Sequence, residues 1–536
     1  MSAIPFSRDK ITYRSGVQLL SLVDNTERGI LSNTDQIFAT IGRFTRGAID
    51  RAFLIDQTTR KRSIGAPSSI LANPLNEAHV QIYEALDSGA FQACVSRLVP
   101  AAAVNSYMIA TVAEAAPLWS VAAVLPADYL IAVKHLECFN DGVRIGLHAV
   151  EKLDDQGAQV ATSDVKVRLI DIATGEPLFD DFEGSLLVDS KDEFGMSNYL
   201  PSVVSSLTEM VEISVDKTSV DTTAECYGVD EDGAEKWTFA DLSYFSEGGT
   251  TYANEDYDSA IQRLYDTDIG YGYLHAGGTR NVALLSKLVN FAYKVNKPFP
   301  FDVPGELSVD GAIAFMQQLN IDSHYPVAYW APLQADDPLN GGKAMIGTSG
   351  LQIGLRCNRN AQTDANDVAP KHYPVAGKNF PITRTGMRQL RKLTDPQLEA
   401  LAKACINPVV FETYASGGRY VFRDSLTCAK TTGDKKLASV AEMSASVDDA
   451  VTAFAKESLQ LPMNESIRRT TQFIEKTFEA LQTAGWFVPS AELKGAAYSA
   501  TITPNSRFPK EKMDVRYSIS YQGTNRITTV QQTLSK

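Results

Sequence analysis

The segment Gly347-Thr348-Ser349-Gly350 places a serine between small residues, and His275 lies upstream of it in the chain. A serine hydroxyl becomes nucleophilic when a neighbouring histidine takes its proton, and a carboxylate usually orients that histidine. These residue types therefore raise nucleophilic hydrolysis as the first hypothesis for the chain.

The residues around the serine argue against this hypothesis. The segment and the His-before-Ser order look like subtilisin-type proteases, but that family also needs an aspartate in its first segment and a His-Gly-Thr helix start, neither of which is convincing here. The Gly-x-Ser-x-Gly elbow of other hydrolases fails because Leu351 stands in place of its second glycine. A serine hydrolase with a subtilisin-like core is kept as a distant alternative.

Metal and cofactor chemistry finds no support in residue spacing. The cysteines form no CxxC pair and are predicted to be buried small hydrophobes: Cys94, Cys138, Cys226, Cys357, Cys405 and Cys428. The histidines show neither HxH nor HExxH spacing. The acidic run Asp230-Glu231-Asp232 lacks the ligand spacing of a helix-loop-helix calcium site and is predicted to be a solvated loop. The glycines of 270–278 fit no phosphate-binding motif. No metal and no cofactor are expected.

Length and charge limit the classes of protein to which the chain can belong. A chain of 536 residues with 44% hydrophobic residues is long enough for about three domains. Its net charge of -14, without a run of basic residues, disfavours nucleic-acid binding. The longest apolar stretch, 121–125, is broken by Pro126, so no membrane span is expected. The N-terminus does not resemble a signal peptide, which predicts that the chain is made in a cytoplasm.

The hydrophobic pattern changes twice along the chain. Strand and helix patterns alternate in 25–105 and again after 239, which predicts an α/β domain. Short alternating runs between turns fill 106–238, which predicts a β-rich insertion. A helix with Asn464 as its N-cap and Gly485 as its end follows near the C-terminus. Its polar face carries Arg468, Arg469 and Lys476, a candidate docking surface in an acidic protein.

Both ends of the chain contain extended patterns with no obvious partner. Near the start, Val17, Leu19 and Val23 lie on one alternating face. Near the end, Val515, Tyr517, Ile519 and Tyr521 alternate with polar residues, and a second extended stretch, 526–534, contains Ile527, Val530 and Leu534. Terminal segments usually fray unless something holds them, so each needs a pairing partner.

The order of the segments resembles the contractile tail sheath proteins of phages, as a distant member. The family's strand followed by Gly, a basic residue and Arg-Gly matches Gly42, Arg43, Arg46 and Gly47; its "GG" before a helix matches Gly248-Gly249; its Asp-x-Pro matches Asp302-Val303-Pro304; and its Ile-Asn-Pro matches Ile406-Asn407-Pro408. The chain departs from the family after Ala369-Pro370, where KHYPVAG follows, and at 421–425.

This resemblance implies a multidomain α/β architecture. It implies an N-terminal arm (1–24), a central α/β domain of subtilisin-like topology without a catalytic triad (25–105 and 239–430), a β-rich inserted outer domain (106–238), a C-terminal α+β domain (431–512) and a C-terminal arm (513–536). The linker before the last segment would be 499–512. Within that segment, 513–521 is predicted to complete the C-terminal domain's own sheet, and 526–534 is the better candidate for donation to another copy.

The resemblance also implies a structural function rather than an enzymatic one. Such a chain would polymerise helically around a tail tube and contract to drive the tube through the host envelope during genome ejection, in a virion tail sheath assembled in the host cytoplasm. The sheath of a phage-tail-like bacteriocin or another contractile injection system is a close alternative, and a soluble ligand-binding α/β protein a further one.

The implied partners are neighbouring sheath subunits, the tail tube protein, and baseplate and tail terminator proteins, with no nucleic acid and no membrane insertion. The arms would add strands to neighbouring subunits through Val17, Leu19, Val23, Ile527, Val530 and Leu534. The basic face of Arg468, Arg469 and Lys476 would contact an acidic tube surface.

Overall fold

A computed structural model describes residues 34–113 and 116–533 of the chain. The predicted N-terminal arm, with Val17, Leu19 and Val23, lies outside these residues, and so does Leu534. Within the described part, no helix is both long enough and apolar enough to span a bilayer.

The elements follow one another in four groups. The first is β1 (Ile37–Gly42), β2 (Phe53–Ile55), α1 (Arg60–Ile64), α2 (Glu77–Asp87) and β3 (Gln92–Arg97). The second is β4 (Val104–Asn105), β5 (Tyr107–Ala113), β6 (Ala116–Ala122), β7 (Ile131–His135), β8 (Val143–Ala149), β9 (Asp164–Asp171), β10 (Phe182–Ser185), α3 (Leu200–Leu207), β11 (Val211–Val215), β12 (Thr238–Leu242) and β13 (Phe245–Ser246). The third is α4 (Asn254–Asp266), β14 (Tyr273–His275), α5 (Val282–Val295), β15 (Phe299–Val303), α6 (Val309–Leu319), β16 (Pro326–Trp330), β17 (Leu333–Asp336), β18 (Lys343–Ala344), α7 (Ser349–Asn360), β19 (Arg388–Gln389), α8 (Asp395–Lys403), β20 (Ile406–Tyr414) and β21 (Gly417–Phe422). The last is α9 (Ala438–Glu457), α10 (Met463–Thr483), β22 (Tyr498–Pro504) and β23 (Met513–Ile519).

The first and third groups build the central sheet in two halves, ordered β2-β3-β1-β14 and β15-β16-β20-β21. Within each half the strands are parallel, except that β2 and β21 run antiparallel at the edges. The Leu274 amide donates to the Pro298 carbonyl at 2.9 Å where the halves meet. Period-two alternation in β1 sends Phe38 into one core and Ala39 and Ile41 into another. The prediction of a mixed α/β multidomain chain is confirmed.

The second group forms two four-stranded sheets, β10-β9-β8-β12 and β11-β7-β5-β6, which share one hydrophobic core. The segment therefore consists mainly of β-strands. The helix α3 was not predicted, because its sequence LPSVVSSL is short and rich in serine.

Three acidic hairpins, 151–159, 189–197 and 229–237, lie at one end of the sheet that contains β8 and β9. Their turns begin at Asp154, Asp192 and Asp230, and each of these carboxylates accepts the amides two and four residues further on. A glycine with φ near +80° completes each turn. The run at 230–232 is therefore the tip of a tight hairpin, which agrees with the predicted solvated loop.

The fourth group packs α9, α10 and the antiparallel pair β22–β23 around Ile474, Phe478, Leu481 and Trp486. The first extended run thus completes the domain's own sheet, as predicted. Two expectations were wrong. The helix α10 begins two residues earlier, at Met463, with Pro462 rather than Asn464 at the N-cap position. The stretch 499–512 is not a linker, because 499–504 belongs to β22 and 505–512 is the turn to β23.

A buried ion cluster joins α9 to α7. Glu442 on α9 accepts Arg356 Nη1 at 3.1 Å and also accepts Arg359 Nη2, and all three side chains are at most 3% exposed. Burial alone would raise the pKa of Glu442, but Arg359, Arg356 and Lys371 lower this pKa to about 2. The cluster therefore fixes the C-terminal helices against the central sheet with paired charges.

Replacing Glu442 with glutamine should leave both arginines buried without a carboxylate. We expect Glu442→Gln to lower the free energy of unfolding by about 3–5 kcal/mol in denaturant titrations. The matched control is Glu399→Gln, because Glu399 pairs with Lys403 on the exposed surface of α8. Similar losses in the two variants would contradict the assigned role of the cluster.

Candidate functional site

The structure brings Ser349 and His275 together at the N-terminus of α7. His275 Nε2 lies 3.1 Å from Ser349 Oγ, and both residues are at most 1% exposed. Asp302, at the end of β15, accepts the amides of Thr348 and Ser349 at 2.6 and 3.0 Å and also accepts the Ser349 hydroxyl. A serine, a histidine and an aspartate therefore meet, although Asp302 does not bind His275.

The hydrogen bonds of the imidazole decide what this cluster can do. The Gly277 amide donates to His275 Nδ1 at 3.2 Å, so the proton of the neutral ring lies on Nε2. Nε2 donates to Gln81 Oε1 at 2.8 Å and faces the serine as a donor. Burial lowers the pKa of His275 to about 3, which keeps the ring neutral. A ring that presents N–H to Ser349 is unable to take the serine's proton, so this arrangement is not that of a catalytic pair.

The same groups cap the helix α7. Its first amides face carboxylate and amide oxygens of other elements: Gly347 donates to Glu77, Thr348 and Ser349 to Asp302, and Gly350 to Gln81. Helix N-termini attract negative charge, and their first amides need acceptors. The cluster joins α2, β15 and α7, which is a structural task.

Sequence reasoning missed Glu77 and Gln81. The signal was present in α2, where four polar residues of EAHVQIYEALD, Glu77, His79, Gln81 and Glu84, are buried with the apolar ones. Burial, and next the nearby charge of Asp302, raise the pKa of Glu77 to about 7. The carboxyl of Glu77 therefore changes charge near neutral pH inside the cap of α7.

Residues that matched the family motifs connect separate elements. Arg46 binds Asp171 at 2.6 Å and also Asp141, both in the inserted segment. Buried Asn407 donates to the carbonyls of Ala328 and Leu426 at 3.0 and 2.8 Å. In the part of the chain that the structure describes, no three His, Cys, Asp or Glu side chains are grouped so as to hold a metal ion. All six cysteines are free and buried, as predicted.

The basic face of α10 is partly neutralised within the helix. Arg468 Nη2 and Arg469 Nε both bind Glu465 Oε1 at 2.7 Å, and these contacts hold the pKa of Glu465 at about 2. Lys476 is exposed and forms no ion pair within 34–113 and 116–533. The three cations therefore lie on the surface, but a carboxylate already contacts two of them.

Two contacts hold the chain at 524–526, before its last described residues. Arg526 Nε binds Asp424 Oδ1 at 2.8 Å, and the Thr524 hydroxyl contacts Ser439 on α9 at 3.2 Å. After these contacts, Ile527 and Val530 are 82% and 87% exposed. These two apolar side chains are therefore available for packing against another chain.

The sheet β22–β23 is open on both edges. Ser520 N donates to Ala497 O, and Asn505 N donates to Lys512 O. In an antiparallel pair, every second residue directs its N–H and C=O groups toward the partner strand, so these two bonds show which residues do so. The backbone groups of 498, 500 and 502 therefore point away from β23, and those of 513, 515, 517 and 519 away from β22. No backbone hydrogen bond from the described residues reaches these groups. The sheet can accept one added strand on each side.

No family model matches the chain, and no curated protein matches it either. Several solved structures are similar to this chain. They include the sheath tail protein from Desulfitobacterium hafniense, with 13% identity, 95% of this chain and 98% of that chain covered and a TM-score of 0.48. A chain of the anti-feeding prophage baseplate has 11% identity, 57% and 77% covered and a TM-score of 0.41. A chain of the PVC sheath complex, an extracellular contractile injection system in its contracted state, has 17% identity, 52% and 75% covered and a TM-score of 0.42.

The position of Glu77 predicts a pH dependence of stability. Its folded pKa, about 7, lies above the usual 4.5, so its contribution is fully present below pH 4.5 and is lost as pH rises through 7. Between pH 4.5 and 8, ionisation of Glu77 should lower the free energy of unfolding of the wild type by roughly 2–4 kcal/mol. We expect Glu77→Gln to lack this decrease when its unfolding by denaturant is measured at the two pH values.

Glu306→Gln is the control, because Glu306 and Glu77 both lie against Arg280, but the side chain of Glu306 is 44% exposed. That variant should keep the wild-type slope of stability against pH. An unchanged slope in Glu77→Gln would show that the carboxyl does not titrate in this range.

Proposed function

We propose that the chain is the structural subunit of a contractile sheath, held to its neighbours by donated strands. The observation that carries the proposal is the open sheet β22–β23 together with the exposed segment 526–533 of the same chain. An isolated two-stranded sheet is marginally stable, and added strands stabilise it. Eight extended residues span about 26 Å, enough to cover the seven residues of β22 or β23.

Strand addition suits a machine whose subunits must rotate without separating. Main-chain hydrogen bonds supply the attachment, and alternate side chains supply the register. On a donated strand, Val530 lies on one face and Ile527 on the other, so one apolar side chain can pack on α10 beside Ile502 and Tyr517. The predicted N-terminal arm, 1–24, would fill the second open edge.

We further propose the finer role that the sequence resemblance implies: the subunits surround a tail tube and contract to drive it through a host envelope during genome ejection. The proposed partners are neighbouring subunits, the tube protein, and baseplate and terminator proteins. His275 faces Ser349 with an N–H group, so it does not take the serine's proton. This geometry supports a structural role over the serine hydrolase alternative.

Deletion of 527–536 tests strand donation. We expect a folded subunit with unchanged thermal unfolding, because the described side chains of this segment are exposed, but no tubes by negative-stain electron microscopy. Val124→Ser is the control, since Val124 is 79% exposed in the inserted segment and should not affect assembly. Normal tubes from the deletion variant would refute strand donation by this arm.

Charge reversal on α10 tests the proposed tube contact. Replacing Arg468, Arg469 and Lys476 with glutamate should weaken assembly on tubes while leaving tube-free polymerisation intact. Glu465→Gln is the matched variant: it frees both arginines from their intramolecular partner and should bind an acidic tube at least as well as wild type. Unchanged tube assembly in the triple variant would exclude the contact.

A further inference from the structure

One buried arginine lacks an anionic or carbonyl partner. Arginines that are less than 9% exposed in the described part of the chain are Arg46, Arg60, Arg97, Arg356 and Arg359. Four of them donate to carboxylate or carbonyl oxygens. Arg60 is 4% exposed, and its Nε and Nη1 have no hydrogen-bond partner. Arg60 is therefore an exception among the buried cations of this protein.

The contact that the structure shows for the Arg60 guanidinium is an aromatic ring. The guanidinium carbon lies 5.2 Å from the centre of the Tyr83 ring, a cation–π contact. His79, on the same helix as Tyr83, is 2% exposed, and its Nδ1 also lacks a partner. No carboxylate oxygen of the described residues lies within 4.0 Å of the Arg60 nitrogens. Burial lowers the pKa of Arg60, and Tyr83 offsets this effect only in part.

An unpaired buried charge is costly, and arginine does not escape the cost by losing its proton at neutral pH. Native proteins pair buried ions or give them ligands, as the other four arginines show. The ring of Tyr83 stabilises the cation but accepts none of its N–H groups. A guanidinium held in this way can still donate to one oxygen of an additional anion through a nitrogen that is not fully buried.

We propose that Arg60 binds a carboxylate from a second copy of this chain when copies assemble. Nη2 forms no hydrogen bond with the described residues and is not among the fully buried atoms, so it is the guanidinium nitrogen that an oxygen of another copy can contact. Exposed Lys61 adds positive charge beside it. The chain carries 64 aspartates and glutamates, so the surface of a neighbouring copy is rich in carboxylates. This inference rests on the proposed assembly, although anion binding by Arg60 does not.

The first test compares Arg60→Met with Arg356→Met in the unassembled subunit. Removing an unpaired charge should leave the melting temperature unchanged or raise it, whereas removing Arg356 leaves Glu442 with one arginine fewer and should lower it. A fall for Arg60→Met as large as that for Arg356→Met would overturn the proposal, because Arg60 would then have a structural partner within the subunit.

The second test measures thermal unfolding of the subunit in sodium acetate and in sodium chloride at equal ionic strength. Acetate carries the carboxylate of the proposed ligand. It should raise the melting temperature of the wild type more than that of Arg60→Met, because only the wild type binds it at this site. Equal shifts in the two proteins would overturn anion binding by Arg60.

The third test measures the critical concentration for polymerisation. Arg60→Met should raise it about tenfold or more, because a carboxylate of the neighbour is left buried without a partner. An acetate effect combined with unchanged polymerisation would assign the site to a free anion and overturn the contact between copies. If the wild type does not polymerise at all, the proposed function and this contact fail together, while the first two tests still decide whether Arg60 binds an anion.

Discussion

Charge pairing around Glu442 is the constraint on which the arrangement of the C-terminal region depends. Three ionised side chains are kept away from water there, which is tolerated only because each lies against an opposite charge. The helix that carries Glu442 also binds the last strand, since the Tyr517 hydroxyl donates to Asp448. It holds the base of the C-terminal segment through Ser439 and Thr524. One helix therefore joins the central sheet, the open sheet and the exit of the arm.

The cluster around Ser349 shows how reactive residue types can serve a fold. Asp302 and Glu77 supply acceptors to the first amides of a helix, and the serine hydroxyl supplies one more donor. Catalysis would need an acceptor on the imidazole, access for a substrate and a water-filled approach. The structure instead has a donor, complete burial and backbone amides that are already satisfied. The order of residues in the chain was therefore a poor guide to chemistry.

The helix α10 could be predicted because an apolar stripe at helical spacing depends only on neighbours in sequence. The partners of Glu442 and Asp302 could not, because Arg356 is 86 positions away from the former and Thr348 is 46 away from the latter. Arg60 gave no signal either, since its missing partner becomes visible only once the atoms around it are placed. The hairpin at 498–519 was half predicted: alternation identified its second strand, but the stretch that contains its first strand was expected to be a linker.

The three acidic hairpins give the subunit a strong electric asymmetry. They carry ten carboxylates and three lysines, so half of the chain's net charge of -14 lies at one end of one small sheet. At physiological salt, charges act over about 8 Å in water. Two copies that approach with these ends together repel each other before any surfaces touch, whereas other orientations meet less resistance. The rate at which two copies meet therefore depends on their relative orientation. Added salt screens the repulsion and weakens this dependence.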